Sequence, residues 1–253
     1  MTDAKRPRIP RGLRPDGAAL WSYGFRPFFL GGAVWAVAAM ALWIAALIHG
    51  LPLGGDYGPA LWHAHEMVFG FAPAVLAGFL LTAIPNWTGS LPVSGRALIG
   101  LFSVWAAGRV AMAGAALTGT WAAAAVDAAF LPLLLAIAAR EIIAGRKWND
   151  LKVLGGVTAV MAGNLGFHGA VLGGGDPGAW LRAAVAGYVM LVLIIGGRII
   201  PSFTRNWLNR KGAGAMPVPY NRFDMAVIAA SALALAGWTL APEARPTALA
   251  CAL

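Results

Sequence analysis

An all-α bundle of membrane-spanning helices is the fold this sequence predicts, on three observations. Hydrophobic residues make up 59% of the 253 and charged residues only 11%, well under the share of about 25% usual in a soluble domain. The apolar residues fall into runs close to the roughly 20 that a helix needs to cross a bilayer. The basic residues collect between alternate runs, as they do when one set of loops faces the cytoplasm.

The first stretch, 1–20, carries Lys5, Arg6, Arg8, Arg11 and Arg14 among Pro and Gly and predicts a flexible basic tail ahead of a transmembrane domain over 21–253. About seven spans follow, over 28–48, 62–84, 97–117, 121–143, 151–173, 179–201 and 224–241. The first is longer than the 7 to 15 apolar residues of a signal-peptide core, so it reads as an uncleaved anchor. The breaks "HGLPLGGDYGP", "PNWTGSLPVSG", "TGT", "AGRKWND", "GGGDPG" and "RKGAGAMPVPYN" are rich in the residues that terminate helices and make turns. With the N-terminus cytoplasmic, every Lys and Arg except Arg109, Arg182 and Arg245 falls on the inner side. The net charge of +9 is thereby explained by orientation, and it gives no reason to expect nucleic acid as a partner. "AIPNWT" and "IIPSFT", closing the second and sixth spans, form a faint internal echo.

Cys251 is the only cysteine, so a disulfide within the chain, a CxxC pair and a thiolate metal cluster are excluded. Attention passes to the four histidines, His49, His63, His65 and His168. Under this topology all four lie toward the outer side. His63 and His65 open the second span in "LWHAHEMVFGF", beside Glu66. Two residues apart on a continuous helix, they point to nearly opposite sides; in an extended lead-in after Pro59 they would share one side. Neutral imidazole suits Cu, Fe and Zn, and Glu66 could orient a ligand from behind. The alternative is a pair of interfacial residues that bind nothing. His168 lies in "GNLGFHGA", where the glycines leave room for a flat cofactor or for another helix.

Arg109 and Asp127 lie deeper, on either side of the "TGT" turn. At 1.5 Å of rise per residue they differ by only about 3 Å in depth, and a charge inside a membrane usually finds a partner. The pair predicts either a weld between two helices or a holder for a haem propionate or an anion. "GGRIIPSFTRNW" adds Arg198 and Asn206 at the inner end of the sixth span, among donors able to meet an anion. No phosphate-cradling loop or hydrolase motif is present.

The blocks "YGFRPFFL" (23–30), "HAHEMVFGF" (63–71), "GFLLTAIPNW" (78–87) and "GGRIIPSFTRNWL" (196–208) together make the sequence resemble the NnrS family. These are polytopic bacterial inner-membrane proteins described as containing haem and copper and associated with the response to nitric oxide. The resemblance implies a multi-pass inner-membrane protein that takes haem, with copper as a second candidate, and limits nitrosative stress. His63, His65 and Glu66 stand in one family block, and Arg198 and Asn206 in another. The family's chains have further histidine-containing helices in their C-terminal half, so this chain reads as a shortened member. The resulting expectation is a cofactor pocket among the first five spans: His63, His65, His168 and Arg109 toward the cofactor, His63, His65 and His49 toward metal, and Glu66, Asp127, Arg198 and Asn206 in support. The rival is a permease whose polar path is lined by the Arg109 and Asp127 pair and Glu66.

Overall fold

The computed structural model describes residues 19–212, 214–218 and 220–252. The basic residues expected in a flexible tail, Lys5 to Arg14, lie outside the described residues, as does the side chain of Cys251. The described residues are predominantly helical, with no strand among them. It divides into two compact units at Trp148 and Asn149.

The first unit is built from α1 (Phe25–His49), α2 (Gly58–His65), a π-helical turn (Glu66–Phe71), α3 (Ala72–Thr88), α4 (Arg96–Ala113), α5 (Ala115–Thr118), α6 (Thr120–Ala128) and α7 (Phe130–Ala144). Helix α1 stops where Gly50 takes the left-handed conformation at φ 65° and its N–H caps Ala46 O, a role that glycine fills without a steric penalty. Its buried side is Pro27, Phe28, Gly32, Ala39 and Ala46, while Val34, Val37, Leu47 and Ile48 are 60–72% exposed. Such apolar exposure is unfavourable in water but costs nothing against lipid tails. Helix α3 packs against α1 so closely that a Cβ on Gly78 would lie 2.6 Å from the Phe29 ring.

The second span is longer than expected, helical without a break from Gly55 to Thr88. Pro59 sits in the first turn of α2, where its fixed φ suits a helix start and its missing N–H is not needed. His63 therefore lies on a helix and not in an extended lead-in, which puts it and His65 on different sides. Pro85 lies inside α3, and nearby the Asn86 side chain donates to Thr82 O at 3.0 Å. The turn at "TGT" is confirmed by Gly119 at φ 88°, and the fourth span runs from Thr120 to Ala144.

The second unit holds α8 (Leu151–Leu172), α9 (Gly178–Lys211), α10 (Arg222–Leu240) and α11 (Arg245–Ala252). Helices α8 and α9 meet along glycines: Gly163 faces Ala184, and Gly166 faces the Trp180 ring. Helix α9 does not end at Pro201 as expected but continues through it to Lys211; interior proline is tolerated in membrane helices where the freed backbone groups are met locally. Helix α10 starts with a capping box, in which Asn221 Oδ1 accepts from Phe223 N at 2.7 Å and Asp224 accepts from Asn221 N at 2.8 Å.

Six helical segments among the described residues are long and apolar enough to cross a membrane. The remaining expected span, α8, is a helix of 22 residues, but Lys152, Asn164, His168 and its glycines make it less apolar than the others.

The α8 glycines give a direct test of close packing. Gly166→Ala should lower stability by about 1–3 kcal/mol, the usual cost of overpacking, because its Cβ overlaps Trp180. Gly155→Ala meets nothing within 4 Å and should be neutral or stabilising by up to about 1 kcal/mol. Thermal unfolding of the purified protein in detergent separates the two.

Candidate functional site

Helix α2 ends at His65, and the π-helical turn that follows carries Glu66. Ala72 N–H reaches back to Met67 O across this turn, an i→i−5 bond of the wider coil that appears frequently at functional sites. It delivers His65 and Glu66, neighbours in sequence, to one buried cluster: both are 0% exposed.

Four side chains close a ring. His65 Nδ1 lies 3.0 Å from Glu66 Oε1, and Arg109 Nη1 from α4 donates to Glu66 Oε2 at 2.7 Å. Arg109 Nη2 pairs with Asp127 Oδ1 from α6, and Asp127 Oδ2 returns to His65 Nε2 at 3.3 Å. From α1, Trp35 Nε1 donates to Glu66 Oε2 at 2.7 Å. Arg109 and Asp127 are 3% and 2% exposed, so water does little to screen these charges. In such surroundings each ion needs close partners of opposite sign, and the ring supplies them: two carboxylates share one guanidinium, and each also faces an imidazole nitrogen. Ionised carboxylates only accept hydrogen bonds, so His65 serves both contacts as a donor when it carries two N–H groups.

The backbone is shaped to admit the ring. A Cβ on Gly70 would overlap the Arg109 guanidinium and approach Glu66 Oε2 to 2.7 Å. The carbonyl of Gly70 accepts from Trp105 Nε1 at 2.9 Å, which ties the π-helical turn to α4. On α4, Gly108 brings the backbone of Asp127 within 3.2 Å of where a Cβ would stand.

His63 points elsewhere. Its ring stacks on Trp43 of α1 at 4.2 Å between centroids and 10° between planes. Its Nδ1 is buried without a hydrogen-bond partner, as is Trp43 Nε1. Trp62, fully buried, packs edge-on against Trp35 at 6.3 Å. Trp35, Ala39 and Trp43 thus form one face of α1 toward the second span.

The remaining expected residues are distributed as follows. His49 is exposed as the last residue of α1. His168 lies buried in α8 of the second unit, 4% exposed. Arg198, in α9, pairs with the buried Asp150 at the start of α8. Asn206 is exposed on α9. The structure therefore brings His65, Glu66, Arg109 and Asp127 into one cluster, and leaves His63 beside it on the opposite side of the helix. Sequence reasoning missed Trp35, Trp43, Trp105, Gly70 and Asp150. The spacing of Trp35, Ala39 and Trp43, four residues apart along α1, is a same-face signal that could have found the first two; no local pattern marks the others.

Fold and site define a polytopic helical membrane protein with a closed ring of charges buried in its first unit. The family model described as NnrS protein matches residues 19–253, and the chain belongs to that family. Among curated proteins and solved structures, none matches it.

Arg109 is the member whose loss leaves the most charge uncompensated. Arg109→Met should destabilise the protein by about 3–5 kcal/mol, the usual cost of breaking a buried ion pair from one side. A thermal midpoint equal to that of the parent would show that the ring contributes no stability.

Proposed function

We propose that this chain is a haem- and copper-binding protein of the bacterial inner membrane that acts in the nitric oxide response, with its cofactor held by imidazoles on the outer side. Membership of the NnrS family supports the class of protein. The observation that carries the ligand assignment is the buried, unpartnered Nδ1 of His63, since a native buried polar atom without a partner calls for an ion, a water or a ligand.

The donor set fits this reading. His63 offers a nitrogen that suits iron or copper, and its stack on Trp43 fixes the plane of the ring. His65 is engaged on both nitrogens by Glu66 and Asp127; it holds the carboxylates in place and keeps the helix turn in register beside His63. Arg109 holds both carboxylates through its two terminal nitrogens. His49 and His168 are the further candidate ligands, one at the end of α1 and one within the second unit. When bound, haem iron or copper supplies an open coordination position able to take nitric oxide. The permease reading needs Arg109, Asp127 and Glu66 to face a polar path, and here they are buried against one another.

The test is the visible absorption spectrum, with metal analysis, of the purified full chain and its variants. The parent should show a haem band that shifts with nitric oxide, and His63→Ala should lose most of the bound haem or metal while keeping its helical circular dichroism. His65→Ala should lower the thermal midpoint, because it removes one partner from each of two buried carboxylates. A colourless, metal-free parent, or a His63→Ala variant with full cofactor content, rejects the assignment.

A further inference from the structure

One end of the second unit gathers basic charge that the proposed function does not use. Helix α9 has 34 residues, about 51 Å at 1.5 Å per residue, whereas a bilayer's hydrocarbon core is about 30 Å thick. Its last turns therefore extend beyond the hydrocarbon, and there the sequence changes from "LVLIIGG" to "TRNWLNRK".

Three segments converge at this end. Arg198 of α9 pairs with Asp150 at the start of α8. Lys152, two residues further on, places its Nζ 5.7 Å from the Tyr220 ring. Arg205 Nη2 donates to Pro217 O at 3.5 Å, which folds the connection between α9 and α10 back onto α9. Lys152, Arg205, Arg210, Lys211 and Arg222 thus share one end, and none has a carboxylate partner among the described residues. The acids nearby are already engaged: Asp150 with Arg198, and Asp224 with the backbone of Asn221.

Apolar and aromatic side chains lie among these charges. Phe203 and Trp207, one helical turn apart on α9, are 68% and 54% exposed, and Lys211 Nζ lies 5.9 Å from the Trp207 ring. Tyr220 is exposed beside Lys152. Indole and phenol rings favour the headgroup level of a membrane, and basic clusters adjoining a span attract anionic lipid. A soluble acidic partner would account for the charge alone. The interleaved rings, together with the extension of α9 beyond the hydrocarbon, favour a membrane surface over a soluble partner.

We propose that this end of the second unit is a binding surface for the headgroups of anionic phospholipids, with Lys152, Arg210, Lys211 and Arg222 meeting the phosphates and Trp207 and Tyr220 seated at the interface. The surface stands independently of any haem or copper site.

The detergent-solubilised full chain, titrated with phosphatidylglycerol, phosphatidylcholine or inorganic phosphate, tests it through the thermal unfolding midpoint. Phosphatidylglycerol should raise the midpoint, while phosphatidylcholine and inorganic phosphate should not. The variant Arg210→Gln, Lys211→Gln, Arg222→Gln changes only exposed side chains; it should need roughly a hundredfold more phosphatidylglycerol for the same rise, about fivefold per charge removed. In the parent the effect should weaken steeply as salt is added, through screening, and this second readout holds whether or not the variant folds. Equal stabilisation by phosphatidylcholine, an effect indifferent to salt, or a folded variant that titrates like the parent overturns the proposal. Stabilisation by inorganic phosphate alone assigns the surface to a free anion and overturns it as well.

Discussion

The guanidinium of Arg109 is the constraint around which the first unit is organised. A buried cation in a membrane protein is stable only with close anions and matched hydrogen bonds, and two carboxylates supply them from different elements, Glu66 from the π-helical turn and Asp127 from α6. The demand propagates outward. Position 70 has no room for a side chain, and the indole of Trp105 meets the carbonyl there. Helices α4 and α6 lie close enough for Gly108 to face the Asp127 backbone. Trp35 of α1 completes the shell of Glu66. Four separate helical elements are thereby held to one point by electrostatics, in surroundings where hydrophobic contact discriminates poorly, because lipid is as apolar as a leucine side chain.

The ordinary turn of α2 separates the roles of two histidines that stand two residues apart on it. His65 is committed to the ring through both nitrogens, whereas His63, one helical side away, keeps a nitrogen free beside Trp43. An electrostatically locked imidazole next to an uncommitted one suits ligand binding, since the locked residue fixes the position of the other without competing for its ligand. In the second unit small residues do the equivalent work of specifying contact: glycines on α8 let α9 approach, and the Asp150 and Arg198 pair fixes the end where they meet.

Much of this was legible in the sequence. Helix type and approximate span followed from the length of the apolar runs, and the short turn at Gly119 from its composition. The similar depth expected for Arg109 and Asp127 foretold their pairing, because a fixed rise per residue converts sequence position into distance along neighbouring helices. The differences are at helix ends. From the sequence the sixth span is expected to close at 201, and an extended lead-in after Pro59 is one of two readings open for His63. In the structure Pro59 starts a helix and Pro201 lies inside one, since proline's missing N–H matters only where a hydrogen-bond partner is lost without replacement.

By itself, then, the sequence determined that this protein is a bundle of apolar helices of membrane-spanning length, and which residues carry costly charge into them. Those properties depend on composition and on one-dimensional spacing. Only the tertiary structure decided the partners: that Glu66 joins Arg109, that His65 is used up and His63 is not, and that Trp35, Trp105 and Gly70 complete the cluster. Such contacts connect residues 31 to 43 positions apart, and which faces of different helices meet is set by packing and by the π-helical turn, neither of which a local pattern encodes.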